Sequence, residues 1–171
     1  MKQSYVAQPM SRDDIRARAL LFRRTLGLEE CLYVDVLVLL ELVLTKIGLN
    51  YDIIDSSEMT EEALTLPEEN LIKIREDVYN GAIQGVGRYR FTIMHEIGHF
   101  MLHSKSRIAL ARNTEKIEAY RDPEWQANAF AGEVLVPFYL TKNMTAEEIS
   151  KQCGVTLSAA KTQKNKQKKI S

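Results

Sequence analysis

The 171-residue chain holds three histidines, and two of them, His95 and His99, stand four apart with Glu96 between them. On an α-helix that spacing sets one imidazole a turn above the other, so both can reach one metal ion. The adjacent carboxylate can then reach a water on that ion, which is the arrangement that metal-assisted hydrolysis needs and the His-Glu-x-x-His signature of zinc peptidases. The flanking residues favour the helix. At about 100° per residue, Thr92, Glu96, His99 and His103 fall with His95 on one wide face, and Ile93, Met94, Ile97, Phe100 and Met101 fall roughly opposite. A helix with no chemical role would bury the same apolar set, but it has no reason to gather spaced histidines and a carboxylate on its polar side.

A catalytic zinc takes three protein ligands and leaves its fourth position open, so one more ligand is needed. His103 lies eight residues from His95, roughly 12 Å along a helix axis, and no Gly or Pro between His99 and His103 breaks the helix. A Gly and a His at the longer metzincin spacing are also absent, since Leu102 and Lys105 stand there. His103 is therefore read as a group supporting the site from outside the ligand set, or as an ordinary capping or surface histidine. The other source is a carboxylate on a second helix. Asp122-Pro123-Glu124 reads as N-cap, N1 and N2 of a helix that runs to Val136 and stops at Pro137. Asn128 sits one turn beyond Glu124 on the same face, with small Ala127 and Ala131 beside them to admit another helix closely. Glu133 is about 180° around from Glu124, so only one of the two can face a metal. An acid at N2 also complements the helix dipole, which by itself would account for Glu124.

The run from Arg90-Phe91-Thr92 through His95-Glu96-Ile97-Gly98-His99 to His103, then Glu124 to Ala131, then Val134-Leu135-Val136-Pro137, resembles the ImmA/IrrE family of metallopeptidases. That family's pattern is R-F-T-x-x-H-E-x-G-H, then E-x-x-A-N-x-F-A, then a hydrophobic pair and M-P. Met94 replaces a usual alanine and Val136 a usual methionine; neither touches the chemistry. The likeness covers residues 30 to 140 and is strongest over 88 to 137. It implies that His95, His99 and Glu124 bind Zn2+ and that Glu96 is the general base. It also implies a narrow protein target, commonly a helix-turn-helix repressor encoded nearby on a mobile element or in a stress-response operon.

The length suits one domain with a small appendage. With 45% hydrophobic residues and zero net charge, the chain has no global pull toward nucleic acid or membrane. Cys31 and Cys153 are far apart, and without a signal peptide they read as free thiols in a reducing cytoplasm. Met1 to Met10 reads as a loose lead. A first helix starts near Ser11 and ends at Gly27, burying Ile15, Ala19, Phe22 and Leu26; its Arg12, Arg16, Arg18, Arg23 and Arg24 are read as a wet outer face. Residues 34 to 47 read as a buried helix capped at Asp35 and closed by Gly48.

Strands are expected at Tyr51 to Ile54, Ala63 to Leu66 and Leu71 to Arg75, with a turn at Pro67-Glu68-Glu69-Asn70. The fold class is α+β: a compact zincin-like arrangement with a small, mostly antiparallel three-stranded sheet against the His95 helix. By analogy with the family, an edge strand would offer its backbone to an extended substrate. A partial helix over Asp77 to Gln84 leads to Arg88 and Arg90, each a candidate for binding a neighbouring acid or lying near substrate. Residues 104 to 121 suggest a lid, and Tyr120 is a candidate oxyanion donor. Two domains follow: a zinc metallopeptidase domain over 1–140 and a helix-turn-helix-like hairpin over 141–171. The hairpin has helices near Thr145 and Val155, a break at Gly154 and a lysine-rich tail that could touch DNA, although packing on the peptidase is the favoured use.

The function expected is zinc-dependent hydrolysis of a peptide bond in a specific protein, with Asn128 orienting Glu124 or meeting substrate. The competing reading is a regulatory or toxin-like module that binds a partner or DNA and uses zinc only structurally. The intact Glu96 argues against it, because a structural site has no use for a general base.

Overall fold

The computed structural model describes residues 5–103, 108–110 and 117–167. Helix α1 (Arg12–Thr25) opens on a capping box, with the Ser11 hydroxyl receiving the Asp14 amide and the Asp14 carboxylate receiving the Ser11 amide. Gly27 ends it at a φ of 66°, a conformation that costs glycine least. The next segment begins where Asp35 caps the amides of Leu37 and Val38, as expected, and closes at left-handed Gly48. Between them the helix is irregular: α2 (Val36–Val38) passes into a π turn over Leu39–Val43 and a 3-10 turn over Leu44–Ile47. It is also only half buried. Leu39, Leu40 and Leu44 enter the core while Val38, Leu42 and Ile47 face outward.

Strands β2 (Asn50–Ile54), β3 (Ala63–Leu66) and β4 (Leu71–Arg75) form one sheet in the order β2-β4-β3, following β1 (Tyr5–Ala7) near the N-terminus. The β3–β4 pair is the expected antiparallel hairpin, turning at Asn70 with a φ of 50°. The sheet is nevertheless mixed, because β2 pairs with β4 in parallel. Residues 55–62 carry the chain across to the far edge before β3 begins, so β4 takes the centre and buries Ile72 and Ile74 completely. Both β2 and β3 are then edges.

Helix α3 (Glu76–Ile83) leads directly to α4 (Gly87–Leu102), which carries the histidines. From Tyr5 on, the lead before Ser11 is not loose: β1 pairs antiparallel with β5 (Ile108–Leu110), and the Met10 amide donates to the Tyr120 carbonyl at 2.9 Å. Most of the lid expected over 104 to 121 lies outside the described residues. Beyond it, α5 (Pro123–Leu135) starts at the expected N-cap Asp122 and packs across α4 and α1. The short helix α6 (Phe138–Thr141) is followed by α7 (Ala146–Cys153) and α8 (Leu157–Gln167), hinged at left-handed Gly154. Ile149, Cys153, Val155 and Ala160 of this hairpin share one apolar cluster with Ile93, Ile97 and Phe130. Both cysteines are free, and burial pushes the Cys153 thiol up to about 11. No described helix is long and apolar enough to cross a membrane.

The arginines correct one expectation. Arg23 is fully buried and donates to the carbonyls of Val134, Leu28 and Cys31, while Arg12 and Arg16 clasp the buried carboxylate of Glu133 at 3.0 and 3.1 Å. Three of the five residues read as a wet face therefore hold α1 to its neighbours. Arg90 is also spent on structure: 1% exposed, it donates to the carbonyls of Cys153, Gly154 and Val34 and stacks 3.9 Å from the Tyr33 ring centroid. Its guanidinium thus ends on the hairpin turn and makes no contact with the histidines. Replacing it strands buried carbonyls, each worth about 1 to 3 kcal/mol. Arg90→Met is expected to lower unfolding stability in urea by roughly 3 kcal/mol, while the folded variant keeps its metal affinity.

Candidate metal centre

Helix α4 places His95 and His99 as the spacing requires, with ring centroids 4.6 Å apart. Their position against α5 depends on Gly98, where a Cβ would lie 3.2 Å from the Ala127 carbonyl oxygen and 3.3 Å from the Phe130 ring. The missing side chain lets the two helices touch, and the first turn of α5 then reaches over the imidazoles. Glu124 spans both: one carboxylate oxygen lies 3.2 Å from His95 Nε2 and the other 3.2 Å from His99 Nε2. The two Nε2 atoms are 2.9 Å apart. His95, His99 and Glu124 are a set whose ligand atoms could hold one metal ion.

The donor set fits such an ion. Two nitrogens and an oxygen at about 2.0 Å from a tetrahedral zinc would be about 3.3 Å from one another, close to the edges of the triangle observed. The hydrogen bonds behind the rings agree. Asn128 Oδ1 lies 3.1 Å from His95 Nδ1 and so accepts its proton, which leaves the Nε2 lone pair directed at the triangle. Glu133, the other acid of α5, is 2% exposed and bound by Arg12 and Arg16, so α5 offers Glu124 alone.

Glu96 points elsewhere. It is 8% exposed, and one of its carboxylate oxygens accepts from the Thr65 hydroxyl of β3 at 2.7 Å; its backbone carbonyl lies 3.0 Å from the same hydroxyl. Its other oxygen has no hydrogen-bond partner among the described residues. The carboxylate is thereby fixed beside the imidazoles and kept out of the ligand triangle.

The remaining candidates separate. His103 is buried, with Nδ1 3.0 Å from His99 Nδ1 and Nε2 2.9 Å from Gln126 Oε1. Burial pushes its pKa down to about 4, so it is neutral. The Tyr120 phenol, on a 3-10 turn over Ala119–Arg121, hydrogen-bonds to Glu118, and its pKa is raised by that bond; no contact joins it to the histidines. Thr65 and Gln126 were not anticipated from the sequence. A strand threonine carries no signal of its own, whereas a glutamine amid the apolar residues of α5 was a visible anomaly.

A cavity of about 470 Å³ opens beside the triangle between α4, α5 and α8. It shares Asn128 with the centre, has Phe91 and Trp125 in its walls, and carries Arg88 and Lys166.

The profile of the peptidase family described as the IrrE N-terminal-like domain matches residues 59–161. The chain belongs to that family. The matched segment contains β3, the histidine helix, Glu124 and most of the hairpin, and the protein is accordingly a peptidase of a metal-dependent family with protein as its substrate class. No curated protein matches the chain.

Electrostatics at the peptidase's triangle gives a pH dependence. Burial opposes a charge on His95, but the hydrogen bond to Glu124, the nearby charges of Glu96 and Glu124 and the bond to Asn128 outweigh it, so its pKa rises above the usual 6.5. The close contacts with His95 and His99 in turn hold the Glu124 carboxyl far below the usual carboxylate range. A proton on His95 must leave before a metal can bind. Metal affinity is therefore expected to fall as pH drops from 8.5 to 6, with the decline beginning above 6.5, where an unperturbed histidine would already be neutral. Chelator competition with zinc across that range measures it; a flat profile would contradict the pairing.

Proposed function

We propose that the chain is a zinc-dependent endopeptidase of the cytoplasm that cuts one specific protein, a helix-turn-helix repressor, and so releases the genes that protein silences. The observation that carries the catalytic part is the separation of two acids around two imidazoles: Glu124 faces both Nε2 atoms, while Glu96 is anchored to Thr65 outside the triangle. A purely structural site gains nothing from a second carboxylate held close but unligated. The identity of the target rests on the family resemblance.

His95, His99 and Glu124 would hold the ion, which when bound supplies a water of lowered pKa and polarises the scissile carbonyl. Asn128 keeps the His95 ring in its ligating tautomer. Glu96 takes the attacking water's proton through its free oxygen and passes it to the departing amine. Thr65 holds the other oxygen, so the carboxylate cannot swing onto the ion. Since Thr65 lies on edge strand β3, an extended substrate pairing with that edge would run alongside Glu96. The cavity lined by Phe91 and Trp125 suits a large apolar side chain, with Lys166 favouring an acidic neighbour. In this reading residues 1–140 are the peptidase domain, and 141–171 are a hairpin docked on it that walls the cavity instead of binding DNA.

Glu96→Gln is expected to cut hydrolysis by about 10²- to 10⁴-fold while zinc stays near one per chain; loss of zinc along with activity would make Glu96 a ligand and refute the division of roles. The assay mixes the purified protein with the repressor encoded beside it, with and without chelator, and follows cleavage by mass spectrometry. An intact repressor in the chelator-free arm would remove the assigned target. Thr65→Val removes one hydrogen bond from Glu96 and is expected to lower kcat about tenfold, with KM unchanged.

A further inference from the structure

Behind His99 lies a chain of hydrogen bonds that fixes which of its nitrogens carries the proton. It begins at the backbone. The Gln126 side-chain nitrogen donates to the carbonyls of Gln8 and Tyr120, each at 2.8 Å, and this settles which end of the amide is nitrogen. The Gln126 oxygen must then face His103, whose Nε2 lies 2.9 Å away. An amide oxygen only accepts, so His103 Nε2 carries a hydrogen. With 1% exposure and no carboxylate hydrogen-bonded to it among the described residues, His103 is in no position to carry a second proton. Its Nδ1 is therefore a bare acceptor, 3.0 Å from His99 Nδ1. That contact needs one hydrogen, and only His99 can supply it. His99 Nε2 is left with its lone pair, facing Glu124 and His95.

We propose that Gln126 and His103 are positioning residues forming a tautomer clamp: two backbone carbonyls orient the amide, the amide orients His103, and His103 keeps the Nε2 of His99 unprotonated for metal binding. The clamp rests on the reading of His99 as a ligand. His95 has a single-step counterpart in Asn128, so each ligating ring is fixed from behind by its own partner. The clamp also joins the site to the N-terminal lead, because the Gln8 carbonyl follows β1 directly. His103 thus serves the metal site without reaching it, which answers the distance objection to it as a third ligand.

The test reads the histidine ring nitrogens by ¹⁵N NMR in the metal-free protein and zinc affinity by chelator competition, with thermal unfolding as the control for folding. In the wild type, His99 is expected as the Nδ1–H tautomer and His103 as Nε2–H. His103→Leu removes the acceptor; His99 should become a mixture of tautomers and zinc should bind about 10- to 100-fold more weakly. His103→Asn restores an acceptor near the Nδ1 position and should recover most of that loss. Gln126→Leu should free His103 to populate both tautomers and weaken zinc to an intermediate degree. If the two residues only tie elements together, all three variants would track thermal stability, with the His99 signal and the zinc affinity unchanged, and the clamp would be overturned. A wild type that shows the expected tautomers yet takes up no zinc would overturn the metal reading and leave the hydrogen-bond order standing.

Discussion

The site exists because α4 and α5 meet backbone to backbone. Gly98 has no side chain to separate them, and Ala127 and Ala131, both fully buried, extend the contact along α5. The 2.9 Å edge of the triangle lies within α4, where both histidines sit, and the two 3.2 Å edges to Glu124 are set by the distance between the two helix axes. A metal site tolerates errors of about 0.2 Å in its bond lengths, and an added methyl group at the crossing would meet the Ala127 backbone oxygen at 3.2 Å and the Phe130 ring at 3.3 Å, tight enough that these neighbours must give way. The same contact brings Asn128 behind His95 and Gln126 behind His103. A single close crossing thus supplies a ligand and the means of orienting both imidazoles.

Around that crossing the structure is held by buried guanidinium groups. A charge taken from water is costly unless its donors are matched, and here half of the carbonyl partners lie at helix ends, where no intrahelical donor reaches them, and the rest lie between α1 and α2. Arg23 caps Val134 near the end of α5, and Arg90 caps Cys153 and Gly154 at the end of α7. The partial negative charge at a helix C-terminus favours a cation there. Arg12 and Arg16 do the complementary work on Glu133, turning the acid of α5 that cannot serve the site into a tie to α1. The orientation of α5, and with it the reach of Glu124, is fixed from three sides.

What the sequence made legible was local. The capping box at Ser11, the caps at Asp35 and Asp122, the breaks at Gly27, Gly48 and Gly154 and the three strands all depend on neighbours a few residues away, and they stand where the residues placed them. The ligand helix was legible for the same reason, since a spacing of four is a helical property. Whatever depends on a distant partner was not. The parallel β2–β4 pair reflects where residues 55–62 carry the chain. The burial of Arg23 reflects carbonyls contributed by other segments, and Thr65 meets Glu96 only because β3 lies along α4. The N-terminal lead has too little apolar content to signal a strand, yet it is ordered by β5 and by Tyr120 and Gln126.

The two acids show how placement divides chemical roles between groups of the same kind. Glu124 is on the open side, its side chain 68% exposed, and both of its oxygens face imidazole nitrogens. Among the described residues only those rings bind its carboxylate, so it behaves as a ligand that closes over the pair from outside. Glu96 is rooted in the body of the protein, with one oxygen tied to the sheet and the other free. A ligand must give up its lone pairs to the cation, and a base must keep one available while staying within reach of the water. The chain meets both demands with one short tether: the hydroxyl of an edge strand holds the second carboxylate back from the ion, beside the path an extended peptide would take.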